Sequence, residues 1–209
     1  MKTHNAIFLL LLPFLLILES CVIPESNHVQ PTFYLLSELA ADGNKSQQGS
    51  EVSFYLRQVE LPTYLQDNRL VSRPDKGVIE FREADRWGEP LEEGIARVVG
   101  LNLGKRLNTL SYSVYPHRKK VPCSYELSIT IRRFERIGSG AILLEAICEI
   151  HSADQVTQER FLKKIELGEP DKGKEDVNEE VMALSQAIGA CCDSIVLSLA
   201  ALPKKVPDE

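Results

Sequence analysis

Between Tyr125 and Ile150 the chain alternates strictly. Tyr125, Leu127, Ile129 and Ile131 are interleaved with Glu126, Ser128, Thr130 and Arg132. After Gly138-Ser139-Gly140, the residues Ile142, Leu144, Ala146, Cys148 and Ile150 share one face of a second run. A period of two puts successive side chains on opposite faces of a strand. Two such runs around a glycine turn predict a long antiparallel pair with one apolar face. Gln155-Val156 to Leu167 predicts another strand.

That apolar face needs a covering layer, and two segments have helical spacing. Leu91, Ile95, Val98, Val99, Leu103 and Leu107 recur on one face, with Pro90 suited to the start and Glu92 and Glu93 matching its positive end. Gly94, Gly100 and Gly104 lower helix propensity, so close packing on the sheet is expected there. A final helix from about Asp176 to Leu199 carries the stripe Val177, Val181, Leu184, Ile188, Cys191, Ile195 and Leu199, and Leu202-Pro203 ends it. Upstream, Thr32 to Leu36 and Val52 to Leu61 are β-rich, separated by a polar loop from Asp42 to Ser50. Leu70 to Arg73 and Val78 to Phe81 flank Pro74-Asp75-Lys76-Gly77, a hairpin turn by its chemistry. Glu169 to Lys174 is a charged loop. Strands, helix, strands, helix predict an α+β domain with two helices packed on a largely antiparallel sheet. The 209 residues suit one domain, placed at residues 31–203 with a tail at 204–209.

The formal charge of −6 offers no positive field for nucleic acid. Gly100-Leu-Asn-Leu-Gly104-Lys105-Arg106 has three residues between its glycines, no Ser or Thr after Lys105, and a place inside the helix, so it fails as a phosphate loop. His4, His28, His117 and His151 have no ligand spacing, and no metal site is expected. Pro116-His117-Arg118-Lys119-Lys120 reads as a solvated loop or a contact for anionic headgroups or an acidic partner. Helix-dipole complementation accounts for Glu92-Glu93 and Glu179-Glu180 without catalysis. No nucleophile elbow is present, and no catalytic residue is assigned.

The amino terminus has its own logic. Ala6 to Leu18 is continuously apolar but only thirteen residues long, shorter than the roughly 20 that a spanning helix needs. Lys2 precedes it, which is the layout of a secretory signal. In FLLILESCVIPES the sequence Leu18-Glu19-Ser20-Cys21 resembles a bacterial lipobox, with Glu19 where an uncharged residue is usual. The resemblance implies cleavage before Cys21 and acylation of that residue, palmitate included, and this covalent lipid is the only prosthetic group expected. A plain signal peptide with an unrelated cysteine and an uncleaved anchor stand as alternatives. Residues 1–20 form the signal and 21–30 a lipidated tether. The nine residues from Val22 to Gln30 reach at most roughly 30 Å, which keeps the domain beside a membrane. Val22, where an Asp would favour inner-membrane retention, leans toward the periplasmic face of the outer membrane.

Residues 59–107 carry a denser pattern. It comprises Leu61-Pro62-x-Tyr64-Leu65, Leu70-Val71-x-Arg73, Arg86-Trp87-x-Glu89-Pro90-Leu91 and Asn102-Leu103, with Phe33-Tyr34-Leu35-Leu36 before it and Arg133-Phe134-Glu135 and Ala183-Leu184-Ser185 after it. This pattern resembles the ABC-type transport auxiliary lipoproteins, the family that includes the auxiliary lipoprotein of the paraquat-inducible lipid-transport system. The resemblance implies a fold like the amino-terminal domain of TolB. It also implies partnership with ABC transporter components and an MCE (mammalian cell entry) protein in lipid transport between the two membranes, and assembly as homo-oligomeric rings. Pro62, Tyr64, Leu65, Arg73, Arg86, Trp87, Pro90 and Leu91 are the corresponding candidate partner-binding residues. A structural or assembly lipoprotein that handles no lipid is the second reading.

Trp87 either pins the start of the helix to the sheet or forms a partner surface with Pro62, Tyr64 and Leu65. Four cysteines follow Cys21. A turn at Ser139 puts Cys123 and Cys148 about seven residues out of register, or roughly 24 Å, so they do not pair. Cys148 and Cys191 both face the expected core, as a disulfide or as free thiols packed like small hydrophobes.

Overall fold

The computed structural model describes residues 30–39, 51–117, 123–138, 140–152, 155–168 and 176–202. The signal segment, Cys21, the tether before Gln30, the polar loop 42–50, the basic residues 118–120, Ser139, the charged loop 169–174, Pro203 and the tail lie outside the described residues. Of the chain's two units, Met1–Gln30 and Pro31–Glu209, the described residues fall almost wholly in the second.

The second unit is built on one long strand. Strands β1 (Thr32–Tyr34), β2 (Phe54–Leu56), β3 (Arg69–Arg73) and β4 (Glu80–Trp87) precede helix α1 (Leu91–Leu107). Strands β5 (Tyr112–Val114), β6 (Tyr125–Ile137), β7 (Ala141–His151) and β8 (Val156–Glu166) follow, and helix α2 (Val177–Ala201) closes the fold. The alternation in β6 and β7 survives as an antiparallel ladder from Glu126↔His151 to Ile137↔Ala141, and β8 extends it antiparallel on β7. A bulge between Ile131 and Arg133 adds one residue to β6.

The other edge of β6 is forked. Its first half pairs parallel with β2 and its last residues pair parallel with β3. Beyond β2 lies β5, and beyond β3 lie β4 and then β1. The long ladders are antiparallel, as the sequence predicts, while the short pairings of β1 with β4, β2 with β5 and both β2 and β3 with β6 are parallel, so the sheet is mixed. Val52 to Leu61 yields only a three-residue strand and a bridge at Glu60, because the chain leaves β6 for a short 3-10 turn at Thr63–Leu65.

Both helices contribute to the core over one sheet face. Leu127, Ile129 and Ile131 of β6 and Ile142, Leu144, Ala146 and Ile150 of β7 are buried with Ile95, Val98, Val99 and Leu103 of α1 and Leu184, Ile188 and Ile195 of α2. A side chain on Gly100 or Gly104 would come within 2.8 Å of Val114 or Tyr112, which explains those glycines. Helix α2 is long and apolar enough to cross a membrane, with mean hydropathy 1.5 in its most apolar window. Its packing on β7, β8 and α1 gives that apolarity another role, as the central helix of the domain.

A strap follows β1. Leu36 is buried, the Ser37 amide donates to Ser185 Oγ on α2 (3.1 Å), and the Leu39 amide donates to Oδ1 of the buried Asn102 on α1 (3.0 Å). Leu39 lies against Gly189, where any side chain would collide with it.

Candidate functional site

The motif segments converge on two consecutive residues of β6, Phe134 and Glu135. The Phe134 ring stacks on Trp87 at 6.5 Å between centroids. Trp87 is 7% exposed and ends β4, so its side chain pins the start of α1 to the sheet. Glu135 is 0% exposed. Its carboxylate accepts Arg73 Nε (2.9 Å), Arg133 Nε (2.8 Å), the Tyr64 hydroxyl (2.8 Å) and the Phe134 amide (2.9 Å). Desolvation alone would raise this carboxyl, but the donors outweigh it and hold the group below its ordinary value. Burial, reinforced by the Glu135 charge, pushes the Tyr64 hydroxyl up to about 12. Two guanidiniums over one carboxylate leave this corner with a unit of positive charge near the surface, and the Arg73 guanidinium lies 5.6 Å from the Tyr64 ring centroid.

The eight residues singled out by the resemblance therefore divide. Leu65, Trp87 and Leu91 are core side chains. Pro62, Tyr64, Arg73 and Arg86 are half-buried, and Pro90 is exposed as the N-cap of α1. Tyr64 and Arg73 meet on Glu135, whereas Trp87 reaches the same strand by Phe134. Arg86 pairs in register with Phe33 of β1 and Arg69 of β3, and its Nε is buried with no hydrogen-bond partner among the described residues. Glu89 of the same motif holds Arg97, whose Nη2 donates to the Leu36 carbonyl of the strap (3.0 Å).

A second feature escaped the sequence reading. A groove of about 900 Å³ opens where β1, β4, the end of β6 and the start of α2 meet, lined by Tyr34, Phe81, Arg82, Asp85, Arg136 and Asp176 among others. The Tyr34 hydroxyl donates to Asp85 (3.3 Å). Glu180 of α2, 1% exposed, accepts Arg82 Nη2 at 2.8 Å and lies 3.5 Å from Nη1 of Arg136, itself 4% exposed. Both glutamates lie in the first turn of α2, as dipole complementation expects; Glu179 is exposed and accepts the Gly168 amide, whereas Glu180 also ties α2 to β4 and β6. Its phase with Leu184, Ile188 and Cys191 was the available signal. Arg136 gave none, because its inward direction depends on the bulge. Among the described residues no cluster of three or more His, Cys, Asp or Glu side chains is arranged for a metal ion.

Both features fall within a recognised pattern. The model of a family described as the ABC-type transport auxiliary lipoprotein component matches residues 34–196. No curated protein is similar enough to the chain to count as a relative. The fold is similar to the crystal structure of an uncharacterized protein, with TM-score 0.64 and 17% identity over 81% of this chain and 99% of that one. It is also similar to protein XCC0632 from Xanthomonas campestris, with TM-score 0.59 and 16% identity over 80% of this chain and 91% of that one. At those identities the two structures speak to the fold, and the family match speaks to the kind of protein. Spanning the Phe134–Glu135 junction and the buried Glu180 alike, that match makes the chain a member of the ABC-type transport auxiliary lipoprotein component family.

Proposed function

We propose that this chain is a lipoprotein of the outer membrane, held on the periplasmic face by acyl groups on Cys21, that serves an ABC/MCE-type system moving lipid between the two membranes. It acts by binding partner proteins and not by catalysis. The observation that carries the reading is a cysteine closing a short apolar leader ahead of a domain of this family. Each buried CH₂ of an acyl chain contributes roughly 0.8 kcal/mol, so several chains give a lasting anchor without a spanning helix. The half-buried rim of Pro62, Tyr64, Arg73 and Arg86 is the proposed contact for a partner, braced from inside by Trp87, Leu65 and Leu91. Assembly as a ring of identical subunits belongs to the same reading.

Two experiments test it. Labelled palmitate should enter the wild-type protein and not Cys21→Ser, and the substitution should shift the protein from the membrane to the soluble fraction. Unlabelled protein, or unchanged fractionation, removes the anchor. Pull-down of the protein from mildly solubilised native membranes should recover an MCE protein and transporter subunits. Their consistent absence at native expression removes the transport role.

A further inference from the structure

The sulfur atoms of Cys148 on β7 and Cys191 on α2 lie 3.6 Å apart in the buried core, 43 residues apart in the chain. They belong to the two layers of the domain, one on the sheet and one on the helix that covers it. The other cysteines are placed differently. Cys148 pairs in register with Ile129, and Cys123 lies six residues before Ile129, off the start of β6, a separation of about 20 Å in extended chain and far beyond bridging distance. Cys192 is also buried, but it follows Cys191 on the helix and so points about 100° away from it.

We infer that Cys148 and Cys191 are a built disulfide site, which closes when the chain folds in the presence of a dithiol–disulfide oxidant and staples α2 to the central sheet. The step is ordinary thiol–disulfide exchange. The thiolate of one cysteine attacks the oxidant's disulfide, joins one of its sulfurs and releases the other as a thiol. The second cysteine then attacks the protein-bound sulfur and displaces the remaining thiol. Two electrons and two protons pass to the oxidant, which ends as two thiols. Both sulfurs are out of reach once α2 has docked. The Cys148 thiol beside it and burial also push the Cys191 thiol well up, which removes the reactive thiolate from the folded state. The exchange therefore belongs to the folding chain, before the helix seats. The inference uses the envelope reading only to say where the oxidant is met.

The full mature chain, reduced and unfolded, is refolded in a glutathione redox buffer, alkylated in denaturant without reductant, digested and mapped by mass spectrometry. The expected product is a peptide joining the Cys148 and Cys191 segments, with Cys123 alkylated. The bridge persists in Cys192→Ala and is lost in Cys191→Ala. Alkylated Cys148 in the refolded wild type overturns the inference, as does a bridge kept in Cys191→Ala. The same map on protein taken directly from membranes separates the two readings. Alkylated Cys148 there, with a bridge in the refolded sample, leaves the site standing and counts against an oxidising location.

Discussion

Glu180 sits between two guanidiniums, and removing it takes a buried counter-charge from both. Glu180→Ala should therefore cost about 3–5 kcal/mol in urea unfolding. Glu180→Leu combined with Arg82→Met and Arg136→Met should recover much of that loss, since apolar replacement of a whole buried ionic group is often neutral. Glu135 adds a pH signature. Its carboxyl is held below the unfolded value, so its contribution is complete above about pH 4.3 and is lost as pH falls through the folded value. Glu135→Gln should be about 2–3 kcal/mol less stable at pH 7, with its stability converging on that of the wild type as pH falls through the lowered folded value of the carboxyl. The Tyr64 hydroxyl, pushed up to about 12, stays protonated and donating at every pH where the carboxylate needs it. Tyr64→Phe should cost about 1–2 kcal/mol at pH 7 by the same unfolding measurement.

At the level of elements, the glycines of α1 trade helix propensity for contact. Alanine would gain up to about 1 kcal/mol in an exposed helix. At Gly100 and Gly104 its Cβ would press on Val114 and Tyr112, so Gly100→Ala and Gly104→Ala should lose about 1–3 kcal/mol instead, read as a lower urea midpoint. Helix α2 begins at Asp176, whose side chain accepts the Asn178 and Glu179 amides, and Asp176→Ala should cost about 1 kcal/mol. Elements were also where the sequence was most legible. A period of two in β6 and β7 and a period near 3.6 in α1 and α2 are local properties, and the turn at Pro74–Gly77 sits between β3 and β4 where its residues predict. The pairing of β2 and β3 with one edge of β6 was not legible, because it joins segments 71 and 64 residues apart with no local pattern to mark the partner. The bulge at Arg132 likewise hid the inward turn of Arg136.

For the whole molecule, the motif that resembles a family proves to be mostly internal wiring. Leu65, Trp87 and Leu91 are packed, Tyr64 and Arg73 clasp Glu135, and Glu89 and Arg97 reach the strap. A pattern of this kind was readable as a signature because so many of its members touch one another. Which of its residues also face a partner could not be read, since spacing alone does not separate a packed tryptophan from an exposed one. Trp87→Ala should unfold the domain by about 3–5 kcal/mol and not merely weaken an interface, as circular dichroism during urea titration would register. The strap has a further consequence for how the chain is made. Ser37 is among the first residues of the domain to emerge during synthesis, yet its backbone bond is to Ser185, 148 residues later. The Ser37 tie can be made only after the last helix has arrived, although β1 already has β4 and Leu39 already has α1 to hold it, so this final attachment should wait for the carboxyl end. A chain truncated before Ser185 would begin with one fastening undone, keeping only those to β4 and α1.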